Sequence, residues 1–145
     1  MGNTKRELLD KVVQQIRTEL EKHYYVRMHN EKGVEVGMLC MNATSTAMIN
    51  LGITSSLVSD KNDKLDLAVE VVSASNEILT DEFFTYLEKL AKDEGYVSLV
   101  VLGEESDFID CLQRRNYDYN LLGLRGNLYG YIKELTTNGA KGQYV

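Results

Sequence analysis

A chain of 145 residues, 43% hydrophobic and 26% charged, has the size and make-up of one globular domain, which excludes a fibrous repeat, wholesale disorder and two separate cores. A net charge of -6 opposes a nucleic-acid partner, because binding to phosphate backbones draws on a basic excess that releases counterions. No run of roughly 20 apolar residues is present to span a bilayer and no apolar signal core opens the chain, so an intracellular, cytoplasmic protein without a membrane partner is expected.

Met1-Gly2 starts like a myristoylation signal, but Arg6 stands where Ser or Thr is required. Thr4-Lys5-Arg6-Glu7 is a capping box, and Leu8, Leu9, Val12, Val13, Ile16 and Leu20 follow at helical spacing, which predicts a helix that buries one stripe and ends near His23. Residues 24–29 and 34–41 read as two strands joined by a turn over 30–33, where Gly33 can take a positive φ. The Ser- and Thr-rich stretch 42–60 admits a strand over 47–53 or over 54–58, and a polar turn closes it at 60–64. Leu65, Leu67, Val69 and Val71 alternate with Asp66, Ala68, Glu70 and Val72, the period of a strand with one face towards a core.

A helix is predicted next. Thr80 is its N-cap, Asp81 and Glu82 complement its dipole, Phe83, Phe84, Leu87, Leu90 and Ala91 line one side, and Gly95 stops it. The near-continuous apolar run over 97–102 is that of a central strand covered on both faces. A helix over 106–115 turns Phe108, Ile109 and Leu112 inward, Asn116 can take the left-handed cap, and Arg114-Arg115 suits the negative end of its dipole. The last strand covers 128–134. With no proline and no Ser-rich linker to divide the chain, the reading is a single domain over 1–135 and a polar C-terminal tail over 136–145.

Cys40 and Cys111 stand far apart with no Cys or His at ligand spacing, and His23 and His29 fall on different elements, so no metal is implied and both thiols read as buried. Walker and dinucleotide glycine patterns are absent, as is a nucleophile elbow with a histidine partner, and Gly123-Leu-Arg-Gly126 is a turn with one Arg.

The order strand, helix, strand, short helix, strand over 65–135 resembles the GNAT acetyltransferase family. Leu90-Ala-Lys-Asp-Glu-Gly-Tyr-Val-Ser-Leu-Val-Val-Leu102 is similar to that family's third helix, terminating glycine and fifth strand. Asp107-Phe-Ile-Asp-Cys-Leu-Gln-Arg-Arg-Asn-Tyr117 is similar to its helix ending in a Leu-Gly-Phe motif. The resemblance implies an α/β (α+β) GNAT-like single domain, with a mixed central sheet flanked by helices.

It also implies where a cofactor would be held. In such enzymes a Gln/Arg-x-x-Gly-x-Gly/Ala loop before the third helix holds the acetyl-CoA pyrophosphate on its backbone amides, with glycines because a side chain blocks the approach. The corresponding segment here, Val72-Ser-Ala-Ser-Asn-Glu-Ile-Leu-Thr80, has no glycine and no basic residue, and Glu77 would repel phosphate. Val72, Ser73, Ala74 and Thr80 are the cofactor-binding candidates at that place. The family's catalytic tyrosine falls on Leu112 and its motif Asn on Glu105, which leaves Tyr117, with Tyr119, Tyr129 and Tyr131 near it in sequence, as the acid candidates and Glu70 as the base candidate.

Two functions are therefore expected. The first is a non-catalytic GNAT-like domain used for protein binding or assembly, needing no cofactor and taking a protein partner or further copies of itself; such domains also occur among phage proteins, including virion components. The alternative is an acetyl-CoA-dependent N-acetyltransferase with a divergent cofactor loop, which predicts acyl-CoA binding and a splayed pair of central strands. We take the first.

Overall fold

The computed structural model describes residues 5–32, 35–55, 65–74, 80–103, 107–119 and 129–135. Thr4, the turn at Gly33, Glu77, the 123–126 turn and the tail over 136–145 lie outside them.

Helix α1 covers Lys5–Leu20. Leu9, Val12, Val13, Ile16 and Leu20 are buried on one side, while Arg6 bonds Asp10 at 2.8 Å and Arg17 bonds Glu21 at 3.0 Å. The helix stops at Leu20 and not near His23, because Lys22 N–H donates to the Glu19 carbonyl and His23 N–H to that of Leu20, the three-residue bonds of a tightened last turn.

Strands β1 (Tyr25–Lys32), β2 (Glu35–Met41), β3 (Thr46–Ser55) and β4 (Leu65–Ala74) form an antiparallel run. Strand β1 reaches Lys32, which pairs with Glu35, so residues 30–32 belong to the strand and not to the expected turn. Within 42–60, β3 covers the first alternative, 47–53, and extends it at both ends, while 56–58 of the second lie outside the described residues. The Asn42 side chain accepts from the N–H groups of Thr44 and Ser45, both at 2.9 Å, and this Asx turn starts β3 at Thr46.

Helix α2 covers Asp81–Asp93, strand β5 Ser98–Gly103 and helix α3 Asp107–Arg114. Strands β6 (Asp118–Tyr119) and β7 (Tyr129–Glu134) complete a seven-stranded sheet in the order β1-β2-β3-β4-β5-β7-β6, in which β4 and β5 are the parallel pair. This is the mixed sheet with flanking helices that the resemblance implied, including the order strand, helix, strand, helix, strand from β4 onward.

Both α2 and α3 end in the same device. Gly95 at φ 92 and Asn116 at φ 70 are left-handed. The residue after each, Tyr96 or Tyr117, returns its N–H at 3.0 Å to a carbonyl in the last helical turn, Ala91 or Leu112. Gly95 N–H reaches Lys92 and Asn116 N–H reaches Gln113, each at 3.1 Å, which completes two Schellman motifs. Tyr96 and Tyr117 are thereby turned inward, and both are buried.

One face of the sheet and all three helices share one core. Val36, Met38, Ile49, Leu51, Leu67, Val69, Leu99 and Val101 meet Ile16, Phe84, Leu87 and Leu112 there. Burying a side chain of this size contributes about 1.5–3 kcal/mol, so the five buried residues of α2 anchor it firmly. The other face carries Glu70, Ser98 and Val100, since side chains alternate along the paired strands. Strand β5 is buried on both faces, as its apolar run predicts.

Candidate functional site

In open α/β sheets, ligands collect beyond the carboxyl ends of parallel strands, and here that place lies past β4 and β5, at the start of α2. The two strands stay paired from Asp66↔Ser98 to Val71↔Gly103, the whole of β5. Strand β4 continues to Ala74, so the candidate residues Val72, Ser73 and Ala74 lie in a strand and not in a loop. Val72 is the extra residue of a β-bulge, since Met48 pairs with Ser73 but Ile49 with Val71, and it is exposed.

Thr80 caps α2: its hydroxyl accepts from Phe83 N–H at 3.3 Å, which consumes one of the helix's free amides. Asp81 follows, and its carboxylate reaches Arg114 at 3.3 Å, Arg115 at 3.6 Å and the Cys111 thiol at 3.1 Å. The hydrogen bonds from Cys111 and Arg114 hold the Asp81 carboxyl below its ordinary value. The cations that α3 brings to this helix start are therefore answered by a carboxylate of the chain itself. The start of α2 thus carries an anion of its own, and β4's last residues hold no glycine.

A second cluster lies further along α2. Glu88 accepts from the Tyr117 hydroxyl at 2.7 Å, from Arg115 Nη2 at 2.9 Å and Nε at 3.2 Å, and from Lys133 Nζ at 3.2 Å. The Lys133 ammonium also stands over the Tyr117 ring, 5.5 Å from its centre. Burial would raise the Glu88 carboxyl, but the bonds from Arg115, Tyr117 and Lys133 outweigh it and hold the group below its ordinary value. Tyr117 moves the other way: burial, then the neighbouring Glu88 charge and hydrogen bond, push its phenol far above the ordinary range. Such a phenol keeps its proton, held in the hydrogen bond to Glu88, and is a poor acid near neutrality.

The base candidate, Glu70, stands elsewhere. It is half-buried, accepts from Asn50 Nδ2 at 3.4 Å, and projects from β4 on the face opposite the helices, whereas Tyr117 lies in the helical core. The structure thus does not bring the two candidates together. Leu112, at the place of the family tyrosine, is fully buried.

Arg114 and Arg115 are more than dipole partners of their own helix, because Arg115 bridges Asp81 and Glu88 on α2. Sequence patterning had no signal for this bridge, since Arg115 stands 27 residues from Glu88 and 34 from Asp81. Both thiols are buried, as expected. Burial pushes Cys40 up to about 11, and burial together with the Asp81 hydrogen bond does the same for Cys111. Among the described residues no group of three or more His, Cys, Asp or Glu is placed to hold a metal. Nor is any described helix long and apolar enough to cross a membrane.

No protein-family model matches the chain, and neither does any curated protein. Among solved structures, the GNAT domain of S. lividans PAT is similar at 10% identity and a TM-score of 0.45, over 74% of this chain and 64% of that one. A GNAT-family acetyltransferase from Listeria monocytogenes 4b F2365 is similar at 15% identity and a TM-score of 0.37, over 93% of this chain and 92% of that one. The chain thus spans less than two thirds of the first, and likenesses this distant leave fold and site to rest on the chain's own geometry.

Proposed function

We propose that this chain is a GNAT-like domain used for protein binding or assembly, without acyl transfer. The observation that carries the reading is the separation of Glu70 and Tyr117 by the thickness of the sheet, with the Tyr117 phenol given to Glu88. An acetyl transfer needs a base on the acceptor and an acid on the departing thiolate at one reacting centre, within hydrogen-bond reach. The carboxylate-bearing start of α2 supports the same reading.

A protein partner or further copies of the chain would be the natural ligand of such a domain, and a virion-associated role is one form of it. Exposed apolar side chains on the strands, Tyr25 of β1 at 63% and Val72 of β4 at 48%, are the type of surface that assembly covers. The test is a thiol-release assay with acetyl-CoA and a panel of amines. Release no faster than in buffer is expected; release that drops in Glu70→Gln or Tyr117→Phe would reinstate the acetyltransferase.

A further inference from the structure

A cleft of about 560 Å³ opens between the C-terminal end of α1 and the first turns of α2. Its lining includes the apolar residues Leu20 and Phe83, both buried in the core, and the rings of Tyr24 and Tyr86. The Tyr86 hydroxyl donates to the Gln15 carbonyl at 3.0 Å, which fixes that ring in place. Glu19 and Glu82 add carboxylates to the lining.

The charge in the cleft is negative and largely unanswered. Glu82 makes no hydrogen bond or ion pair among the described residues, and Glu19 has Lys22, whose side chain is 60% exposed and holds it weakly. The one lysine of the lining, Lys89, is held by Asp93 at 2.8 Å. The carbonyl end of α1 adds partial negative charge, while the positive end of α2 is offset by its own Asp81 and Glu82. Burial, followed by the Glu19 charge, raises the Tyr86 phenol, which fits the same field.

We propose that this cleft takes a lysine or arginine side chain of a partner protein. The aliphatic stem of such a side chain covers Leu20 and Phe83, the tyrosine rings flank it, and the cationic head meets Glu19 and Glu82. A neutral apolar residue would leave the carboxylates unanswered, and an anion would be repelled. The site lies between two helices and involves neither Glu70 nor Tyr117, while Thr80 and Asp81 of the α2 start also line it.

The test is amide-shift mapping of the full chain by nuclear magnetic resonance, titrated with the blocked peptide Ala-Ala-Arg-Ala-Ala and with its Lys and norleucine counterparts. Saturating shifts confined to amides around Leu20, Tyr24 and 82–86 are expected with Arg and Lys, and none with norleucine. Glu82→Lys should weaken Arg-peptide binding by about tenfold or more. Asp10→Lys, the same charge change on an exposed α1 position outside the lining, should leave it within about twofold. Unperturbed spectral dispersion shows that both variants are folded. Shifts spread over the acidic surface, equal weakening by the two variants, binding of the norleucine peptide, or no shifts at all would each overturn the assignment.

Discussion

Glu88 of α2 takes donors from Arg115 and Tyr117, just past the end of α3, and from Lys133 of β7, and its side chain is 14% exposed. A folded carboxyl held below its ordinary 4.5 contributes stability that is fully present above that value and is lost as pH falls through the folded pKa. Glu88→Gln should therefore cost about 2 kcal/mol near neutrality, with the gap to the native chain closing as pH drops below 4.5; urea titrations at several pH values would measure it. A gap that holds constant into acid would deny the carboxylate its place at the centre of the cluster. Little of this was legible in the sequence. Glu88 falls among the polar positions of an amphipathic helix, and the donors that single it out come from 27, 29 and 45 residues away. Tyr117 was visible as a candidate, but a buried structural phenol and a catalytic one share the same letter.

Helix ends were the most legible elements, because their chemistry is local. The Thr80 cap and the Gly95 and Asn116 stops all stand where sequence spacing put them. Thr80→Ala should cost about 1 kcal/mol. Nothing lies within 4 Å of a Cβ built on Gly95, so Gly95→Ala should cost about 1–2 kcal/mol through backbone conformation alone. Thermal unfolding of both variants checks these values, and a neutral Gly95→Ala would show that α2 ends by another geometry. Strand β3 was harder to read. The stretch 42–60 admits a strand over 47–53 or over 54–58, and the position taken comes from the Asn42 turn and from pairing with β2 and β4 on either side. The two residues of β6 are too few for any periodic signal and exist through their pairing with β7.

Across the whole molecule, the parallel pair and its crossover helix were readable from pattern, whereas the face on which each candidate side chain lies depends on register. That register places Glu70 opposite Asn50 and Leu102, away from the helices, and it is what separates the base from the acid. Burial of both thiols is a further property of the closed fold. With Cys40 and Cys111 pushed up to about 11, only about one thiol in a thousand is ionised at pH 8. A disulfide reagent should therefore label the native chain far more slowly than the urea-unfolded chain, and rapid native labelling of either cysteine would place it at the surface. The central claim is that the start of α2 supplies its own anion and leaves no seat for an acyl-CoA pyrophosphate. Calorimetric titration with acetyl-CoA and with CoA addresses it most directly: no heat of binding up to millimolar cofactor is predicted, and saturable micromolar binding would contradict the account and return the chain to the acetyltransferases.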